Sequence, residues 1–219
     1  MNTTKSSEPE LILLLGGTFD PIHNGHTQPA KETALWLGAT QVSLLPAHIP
    51  PHKNSTHATA SHRVAMVRLA CYEEPLFQLD TRELQRDSHS YTVDTLMELK
   101  AAKPNAHLHF IMGMDSLLSF TRWHQWQKIL ELSNLVINIR PGYCHQQLAS
   151  KLPPVLLPHI IDNVAQLKLH THGKIILHDC TAVDISSTQI RHYIHQDINY
   201  EALVHPRVFE YIEQQQLYR

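Results

Sequence analysis

The chain has 219 residues, of which 18 are histidine, and 42% are hydrophobic and 17% charged. This length suits one α/β domain with a sizeable core, and the composition excludes collagen, coiled coil and disordered chains. The formal net charge is −2 with histidine neutral. Partial protonation of the histidines at pH 7 brings the net charge to roughly +2. Since this charge is small and not permanent, neither a nucleic-acid-coating protein nor a membrane-surface binder is indicated.

The first 46 residues predict a strand–helix–strand unit. Residues 11–15 form a continuous apolar run that ends at two glycines, which is typical of a strand buried on both faces. A helix is predicted over 25–37, ended by Gly38. A second strand is predicted over 41–45, stopped by Pro46, and the spacing suits a crossover between parallel strands.

Helices and strands continue to alternate along the rest of the chain. A loop is predicted over 46–59, and residues 145–173 show no readable pattern. Ser61 is a candidate helix cap, and Pro206 suits a first helical turn. Helices are predicted over 61–71, 92–102, 123–132, 187–195 and 206–216, and strands over 76–79, 107–112, 135–139 and 174–177.

This alternation predicts an α/β fold with a doubly wound, mostly parallel sheet and C-terminal helices. We expect one domain over 1–219, with the sheet core at about 10–180 and the helical part at 181–219. Such sheets bind ligands at the carboxyl ends of their strands, beside the point where the strand order reverses.

The cysteines and the N-terminal segment indicate the cellular compartment. Cys71, Cys144 and Cys180 are odd in number and widely spaced, which argues against a disulfide framework and against a CxxC metal site. The apolar run at 11–15 is far shorter than the roughly 20 residues of a membrane span and lacks the flanks of a signal peptide. We therefore expect a cytoplasmic protein without nucleic-acid or membrane partners.

The most informative motif is GGTFDPIHNGH, which leaves the first strand and enters the first helix. Its two leading glycines let backbone amides approach a ligand, and the helix N-terminus favours phosphate. His23 and His26 are three positions apart and can face the same side, while Gly25 leaves room for a base or ribose. The motif is not a P-loop, GxGxxG or HExxH. The alternative interpretation is a glycine turn with two surface histidines.

The second motif is DISSTQIR, which ends at Arg191. Ser186 and Gln189 have capping-box spacing, so a helix is predicted to begin here. The hydroxyls of Ser187 and Thr188, with Arg191 one turn into the helix, form a candidate polyphosphate site. A cap explains Ser186 and Gln189, but a cation near the positive end of a helix is unfavourable unless an anion offsets it.

Together the two motifs resemble the nucleotidyltransferase superfamily that carries the HxGH signature. Three further segments, PPHK, SYT and GMDSL, and Trp123 make the chain similar to bacterial nicotinate-nucleotide adenylyltransferases over essentially its whole length. The resemblance implies a Rossmann-like nucleotidyltransferase fold. It also implies transfer of the adenylyl group of ATP to nicotinate mononucleotide, which gives deamido-NAD and pyrophosphate and uses Mg²⁺.

The resemblance also assigns site residues. It makes His23 and His26 catalytic, beside the phosphates. It places ATP at Gly16, Gly17, Thr18, Phe19, Gly113, Asp115, Ser187, Thr188 and Arg191. It places nicotinate mononucleotide at His52, Lys53, Tyr91, Thr92, Trp123, His124 and Arg140.

In this arrangement the nicotinate ring lies against Trp123, and its carboxylate meets the backbone amides of Thr92 and His124. His124 stands where relatives often have another aromatic residue. No compact set of acidic metal ligands is present in the sequence, so Mg²⁺ is expected to be held mainly by substrate phosphates and water.

Several alternatives stay open at this point. Trp123 and Trp126 are also typical core anchors, and Asp115 is also a typical helix cap. Another HxGH transferase, similar to phosphopantetheine adenylyltransferases or cytidylyltransferases, and a non-catalytic nucleotide-binding regulator are the competing functions. The oligomeric state is not predicted.

The mechanism and the histidine excess complete the predictions. No residue lies in a motif of a covalent nucleophile, so direct in-line attack on the α-phosphorus is expected. At most four histidines, His23, His26, His52 and His124, fall in the motifs, and we expect the other fourteen of the 18 on the surface or in loops.

Overall fold

The structure is a computed structural model that describes residues 10–49, 55–139, 151–181 and 183–219. Within these ranges the strands are β1 Leu11–Gly17, β2 Val42–Pro46, β3 Phe77–Leu79, β4 His107–Gly113, β5 Asn134–Ile139, β6 Ile160–Ile161 and β7 Ile175–Asp179. The α-helices are α1 Asn24–Leu37, α2 Ala60–Cys71, α3 Thr92–Ala102, α4 Met114–Leu118, α5 Trp126–Leu132, α6 Val164–Leu169, α7 Ser187–His195 and α8 Pro206–Gln215. Short 3₁₀ turns lie at Arg82–Gln85, Phe120–Arg122, Pro154–His159 and Glu201–Leu203.

All strand pairs in the described ranges are parallel, in the order β3-β2-β1-β4-β5-β7-β6. The chain builds outward from β1 to β3, then returns to place β4 on the other side of β1. The strand order therefore reverses between β1 and β4, which is where such sheets bind ligands. Leu15 pairs with Ile111, so Gly17 and Gly113 lie at the same edge of the sheet.

Successive residues of the central strands enter two different hydrophobic layers. Leu13 and Val136 pack in the layer that contains α1, α2, α7 and α8. Leu14 and Ile137 pack in the layer that contains α3, α4 and α5. A strand covered on both faces needs apolar residues at every position, which explains the unbroken apolar runs. The predicted doubly wound parallel sheet is confirmed.

Several predicted helix boundaries are confirmed in detail. Gly38 ends α1 in the left-handed conformation, with a φ of 69°. Ser186 accepts a hydrogen bond from the backbone N–H of Gln189, and the Gln189 side chain reaches back to the cap, as a capping box requires. Pro206 occupies the first turn of α8.

Other boundaries differ from the prediction. The cap of α2 is Thr59 and not Ser61: the Thr59 side chain accepts a hydrogen bond from the N–H of His62. Pro46 does not stop β2 but is its last residue, paired with Gly17. The proline lacks an N–H, and the N–H of Ala47 donates instead to the carbonyl of Gly17 at 2.9 Å.

The predicted helix over 123–132 begins three residues late, at Trp126. Trp123 is extended, with φ −71° and ψ 146°, because its ring is anchored edge-to-face against Phe110 and Phe120. Periodicity also missed α4, which is only five residues long, and the elements between 154 and 169, since short segments show no clear period.

Fourteen histidines are expected on the surface or in loops, and among those that lie in the described residues the expectation is wrong for two. His109 in β4 and His178 in β7 are buried strand residues. His178 is held between α1 and the sheet, since its ring stacks on Trp36 and its Nδ1 lies 3.2 Å from Thr33 Oγ1. Packing across the sheet decides these positions, and a residue count does not reveal it.

No helix in the described part of the chain combines the length and the apolarity that crossing a membrane requires.

Candidate active site

A cleft of about 840 Å³ lies at the carboxyl edge of the sheet, beside the strand-order reversal. Its walls come from the turn after β1, the start of α3, the start of α4 and the segment before α5. Its lining includes Gly16, Gly17, Thr18, Glu83, Ser90, Tyr91, Thr92, Asp115, Trp123 and His124. This volume is of the size that holds a small-molecule ligand.

One wall of the cleft is aromatic. The rings of Tyr91 and His124 lie 4.4 Å apart between centroids, at 35° to one another. Trp123 stands beside them and rests edge-to-face on Phe110 and Phe120, with centroid distances of 6.2 and 5.7 Å. Trp123 is therefore both a packed residue and part of the wall, so a planar ring can stack on a surface that the core already holds in place.

The start of α3 supplies polar groups to the same wall. Thr92 is the first residue of α3, so its N–H has no acceptor within the helix. The N-terminus of an eleven-residue helix also carries a partial positive charge. This end of the cleft therefore favours a carboxylate or another anion.

His23 and His26 face each other at the start of α1. Their ring centroids are 3.7 Å apart, and the backbone N–H of His23 donates to Nδ1 of His26 at 3.3 Å. Because Nδ1 accepts this hydrogen bond, the neutral His26 ring carries its proton on Nε2. The predicted pairing of the two histidines on one side is confirmed, and His26 presents an N–H donor from Nε2.

Gly25 serves a different purpose from the one predicted. A Cβ atom at this position would lie 2.9 Å from Nδ1 of His23 and 2.9 Å from Cγ2 of Ile185. The room beside Gly25 is thus filled by protein and not left for a base or ribose. Glycine at this position lets the histidine ring and the segment before α7 pack against the helix start.

The two sequence motifs meet in space. The Ser187 hydroxyl donates to the carbonyl of Pro21 at 2.9 Å, and Nη1 of Arg191 donates to the carbonyl of Asp20 at 2.7 Å. Nη2 of Arg191 donates to Oγ1 of Thr188 at 3.2 Å. The cation near the start of α7 therefore has protein acceptors, so it does not by itself require an anionic ligand.

Asp20 joins this motif to the rest of the fold. The residue is 1% exposed, and its carboxylate accepts from the N–H groups of His57 and Ala58, at 2.8 and 3.0 Å, and from the Tyr218 hydroxyl, at 2.9 Å. Burial raises the pKa of Asp20, but these hydrogen bonds and the Arg191 charge outweigh it and leave the pKa below its ordinary value. Asp20 is thus a charged anchor for the turn that leads to His23.

Arg63 supports the same turn from α2. Its guanidinium is buried and donates to the carbonyls of Thr18 and His48, at 2.8 and 3.2 Å. Burial lowers the pKa of Arg63 more than the nearby Asp20 raises it, so this pKa lies below its ordinary value. The hydrogen bonds of Arg63 hold the turn after β1 beside the loop after β2.

Similar proteins identify the family. The chain matches the cytidylyltransferase-like family over residues 14–193. A relative from Aeromonas hydrophila, named "Probable nicotinate-nucleotide adenylyltransferase", is 45% identical over 208 residues, or 95% of this chain and 97% of that protein. A relative of the same name from Yersinia enterocolitica is 43% identical over 216 residues, or 98% of each. The chain belongs to the nicotinate-nucleotide adenylyltransferase family.

Solved structures of similar proteins have the same fold as this chain. A Plasmodium falciparum nicotinic acid mononucleotide adenylyltransferase complexed with APC aligns with a TM-score of 0.70 at 18% identity, covering 95% of this chain and 97% of that one. The same enzyme complexed with NaAD gives a TM-score of 0.70 at 20% identity. At this identity the likeness supports the fold alone.

The structure brings most of the predicted site residues to one edge of the sheet. Gly16, Gly17, Thr18, Tyr91, Thr92, Asp115, Trp123 and His124 line the cleft. Phe19 is buried behind the turn, edge-to-face with His26, and Gly113 is the exposed cap residue of α4. His52, Lys53 and Arg140 lie outside the described residues. The ligand roles of all these residues stay predictions.

Sequence reasoning gave no role to four residues that build this site: Asp20, Arg63, Glu83 and Tyr218. Asp20 lies within the first motif, so its position in the sequence could have indicated a role. Arg63 and Tyr218 are far from both motifs in sequence, and Glu83 precedes the segment SYT by seven positions but lies in no recognisable pattern. Only the fold brings them to the site.

Proposed function

We propose that this protein transfers the adenylyl group of ATP to nicotinate mononucleotide, giving deamido-NAD and pyrophosphate. The observation that carries the proposal is the cleft itself. It joins the glycine turn after β1, suited to phosphate, to an aromatic and N–H-rich wall, suited to a pyridine ring with a carboxylate. The full-length similarity to relatives of that name supports the same activity.

The histidine pair supports catalysis by hydrogen bonding. Nucleotidyl transfer needs positioning and charge stabilisation more than covalent help. The mononucleotide phosphate attacks the α-phosphorus, and pyrophosphate leaves with its bonding electrons. The Nε2–H group of His26, oriented by the Nδ1 contact with His23, donates to the charge that develops on the phosphate oxygens.

The start of α3 and Trp123 support selection of the acid substrate. The ring stacks on Trp123, and the carboxylate accepts from the N–H groups of Thr92 and His124. Nicotinamide presents its own N–H groups in place of one oxygen, and these face donors in that position. We therefore expect a preference for the acid over the amide.

The second motif is expected to bind the phosphate groups of ATP. Thr188 and Arg191 adjoin the turn that carries the histidines, and the start of α7 offers backbone N–H groups to phosphate. A Mg²⁺ ion, when bound, neutralises phosphate charge. The described residues include no group of three or more histidine, cysteine or acidic side chains that could hold a metal, so phosphate oxygens and water would supply most of its ligands.

Pyrophosphate release from purified protein tests the proposal. Nicotinate mononucleotide with ATP is expected to give turnover that nicotinamide mononucleotide gives more weakly. Preferred turnover with phosphopantetheine, or with CTP as the nucleotide donor, would indicate another HxGH transferase. Nucleotide binding without any turnover would indicate the regulator.

A further inference from the structure

Glu83 is a buried carboxyl group in the wall of the cleft that no motif explains. It lies in the 3₁₀ turn Arg82–Gln85 after β3, is 6% exposed, and lines the cleft beside Ser90, Tyr91 and Thr92. Burial of a carboxyl group is costly unless hydrogen bonds compensate for it. Its partners therefore show what it does.

The first partner is on α3. The Thr95 hydroxyl donates to Oε1 of Glu83 at 2.8 Å, and Nη1 of Arg86 donates to the same hydroxyl at 3.0 Å. Thr95 is one turn beyond Thr92 on α3. The carboxyl group thus holds the first turn of the helix whose N–H groups face the cleft.

Ser90 lines the cleft beside Glu83. It is tied to the loop after β2, because its Oγ accepts from the N–H of His48 at 2.8 Å and its own N–H donates to the carbonyl of Ile49 at 3.0 Å. Glu83 therefore lies between the start of α3, which it holds through Thr95, and a residue that is tied to the loop after β2.

We propose that Glu83 is a positioning residue for recognition of the mononucleotide carboxylate. It fixes the start of α3 against the 3₁₀ turn after β3, so that Tyr91 and Thr92 hold the geometry that a ring carboxylate needs. This inference rests on the proposed function. The Thr95 hydroxyl donates to the carboxyl group, so this position requires an acceptor oxygen but does not require a negative charge.

The charged groups around it agree with this role. Burial raises the pKa of Glu83, and Asp80 acts in the same direction, whereas the Thr95 hydrogen bond, the nearby Ser90 hydroxyl and the Arg86 charge oppose the rise. A glutamine at this position keeps an acceptor oxygen for the Thr95 hydroxyl. An alanine removes this acceptor.

Glu83→Ala and Glu83→Gln, compared in steady-state kinetics, test the inference. In Glu83→Ala, the KM for nicotinate mononucleotide is expected to rise about tenfold or more, the effect of lost hydrogen bonds, while the KM for ATP changes less than about twofold. Glu83→Gln is expected to stay close to the wild type in both. Glu98→Ala is the matched control, since Glu98 pairs with Arg86 at 2.7 Å but does not line the cleft.

Thr95→Val supplies a second variant in case Glu83→Ala does not fold, because it removes one hydroxyl and keeps the side-chain shape. It is expected to show the same selective rise in KM. Equal changes in both KM values, or a Glu83→Gln variant as impaired as Glu83→Ala, would overturn this inference and leave the proposed function standing. A wild-type protein without turnover on nicotinate mononucleotide would overturn the proposed function, and this inference with it.

Discussion

The hydroxyl of Tyr218 donates a 2.9 Å hydrogen bond to the buried carboxylate of Asp20, across 198 positions of sequence. This contact ties the segment after α8 to the turn that leads to His23 and His26. Burial raises the pKa of Tyr218, as does the charge of Asp20, so the phenol stays protonated and remains a donor.

Tyr218→Phe is expected to lower the free energy of unfolding by about 1–3 kcal/mol, because the buried carboxylate loses a donor. Urea denaturation at pH 7 measures it. Tyr72→Phe is the matched control: Tyr72 is 68% exposed and its ring, which phenylalanine retains, contacts Arg207. A loss as small as the control's would contradict the anchoring role of this contact.

His26→Ala is expected to reduce kcat about 100- to 1,000-fold, the usual effect of removing one donor to a developing negative charge. Single-turnover kinetics with ATP and nicotinate mononucleotide measure the chemical step. His172→Ala, at an exposed position, is the control and should turn over normally. Near-normal turnover by His26→Ala would rule out the hydrogen-bonding role.

Trp123→Ala is expected to raise the KM for nicotinate mononucleotide about tenfold or more, with a smaller effect on ATP, because a stacking surface is lost. Trp126→Ala is a close control, since both rings contact Phe120 but Trp126 does not line the cleft. If both substrates were affected equally, the nicotinate ring would not stack on Trp123.

The buried His109 makes stability depend on pH. Burial and the charge of the neighbouring His107 lower the pKa of His109 from 6.5 to about 4. The unfolded chain therefore binds a proton that the folded chain excludes between these values. The contribution of His109 to the free energy of unfolding is therefore complete above pH 6.5. It decreases as the pH drops towards 4, by roughly 3 kcal/mol.

Urea denaturation of His109→Gln between pH 7 and pH 4 checks this expectation. The variant should lose part of the acid slope whatever its stability at pH 7. A residual slope is expected, because burial also lowers the pKa values of His107 and His178. His172→Gln is the control and should keep the wild-type slope. An unchanged slope in His109→Gln would show that His109 does not carry this dependence.

Much of the fold could be predicted because its signals are local. The apolar run of β1, the glycine that ends α1 and the capping box of α7 each depend on residues within a few positions of each other. The strand–helix alternation then indicates the parallel sheet. The predicted family is confirmed as well, since its motifs are short continuous segments.

The errors have a common physical origin. Trp123 leaves the predicted helix because Phe110 and Phe120 hold its ring. The space beside Gly25 is taken by His23 and Ile185. In each case a distant side chain outweighs a local preference, and no pattern in the sequence reports the contact.

The sequence by itself determined the alternating elements, the glycine turn after β1, the two motifs and the family, because each is encoded in neighbouring residues. The tertiary structure alone decided which distant groups support the site. Glu83 holds the start of α3 through Thr95, and Tyr218 reaches Asp20. Burial at the sheet decides that His109 and His178 are not surface residues. These features depend on long-range packing, in which hydrogen bonds and desolvation act between residues that sequence spacing cannot relate.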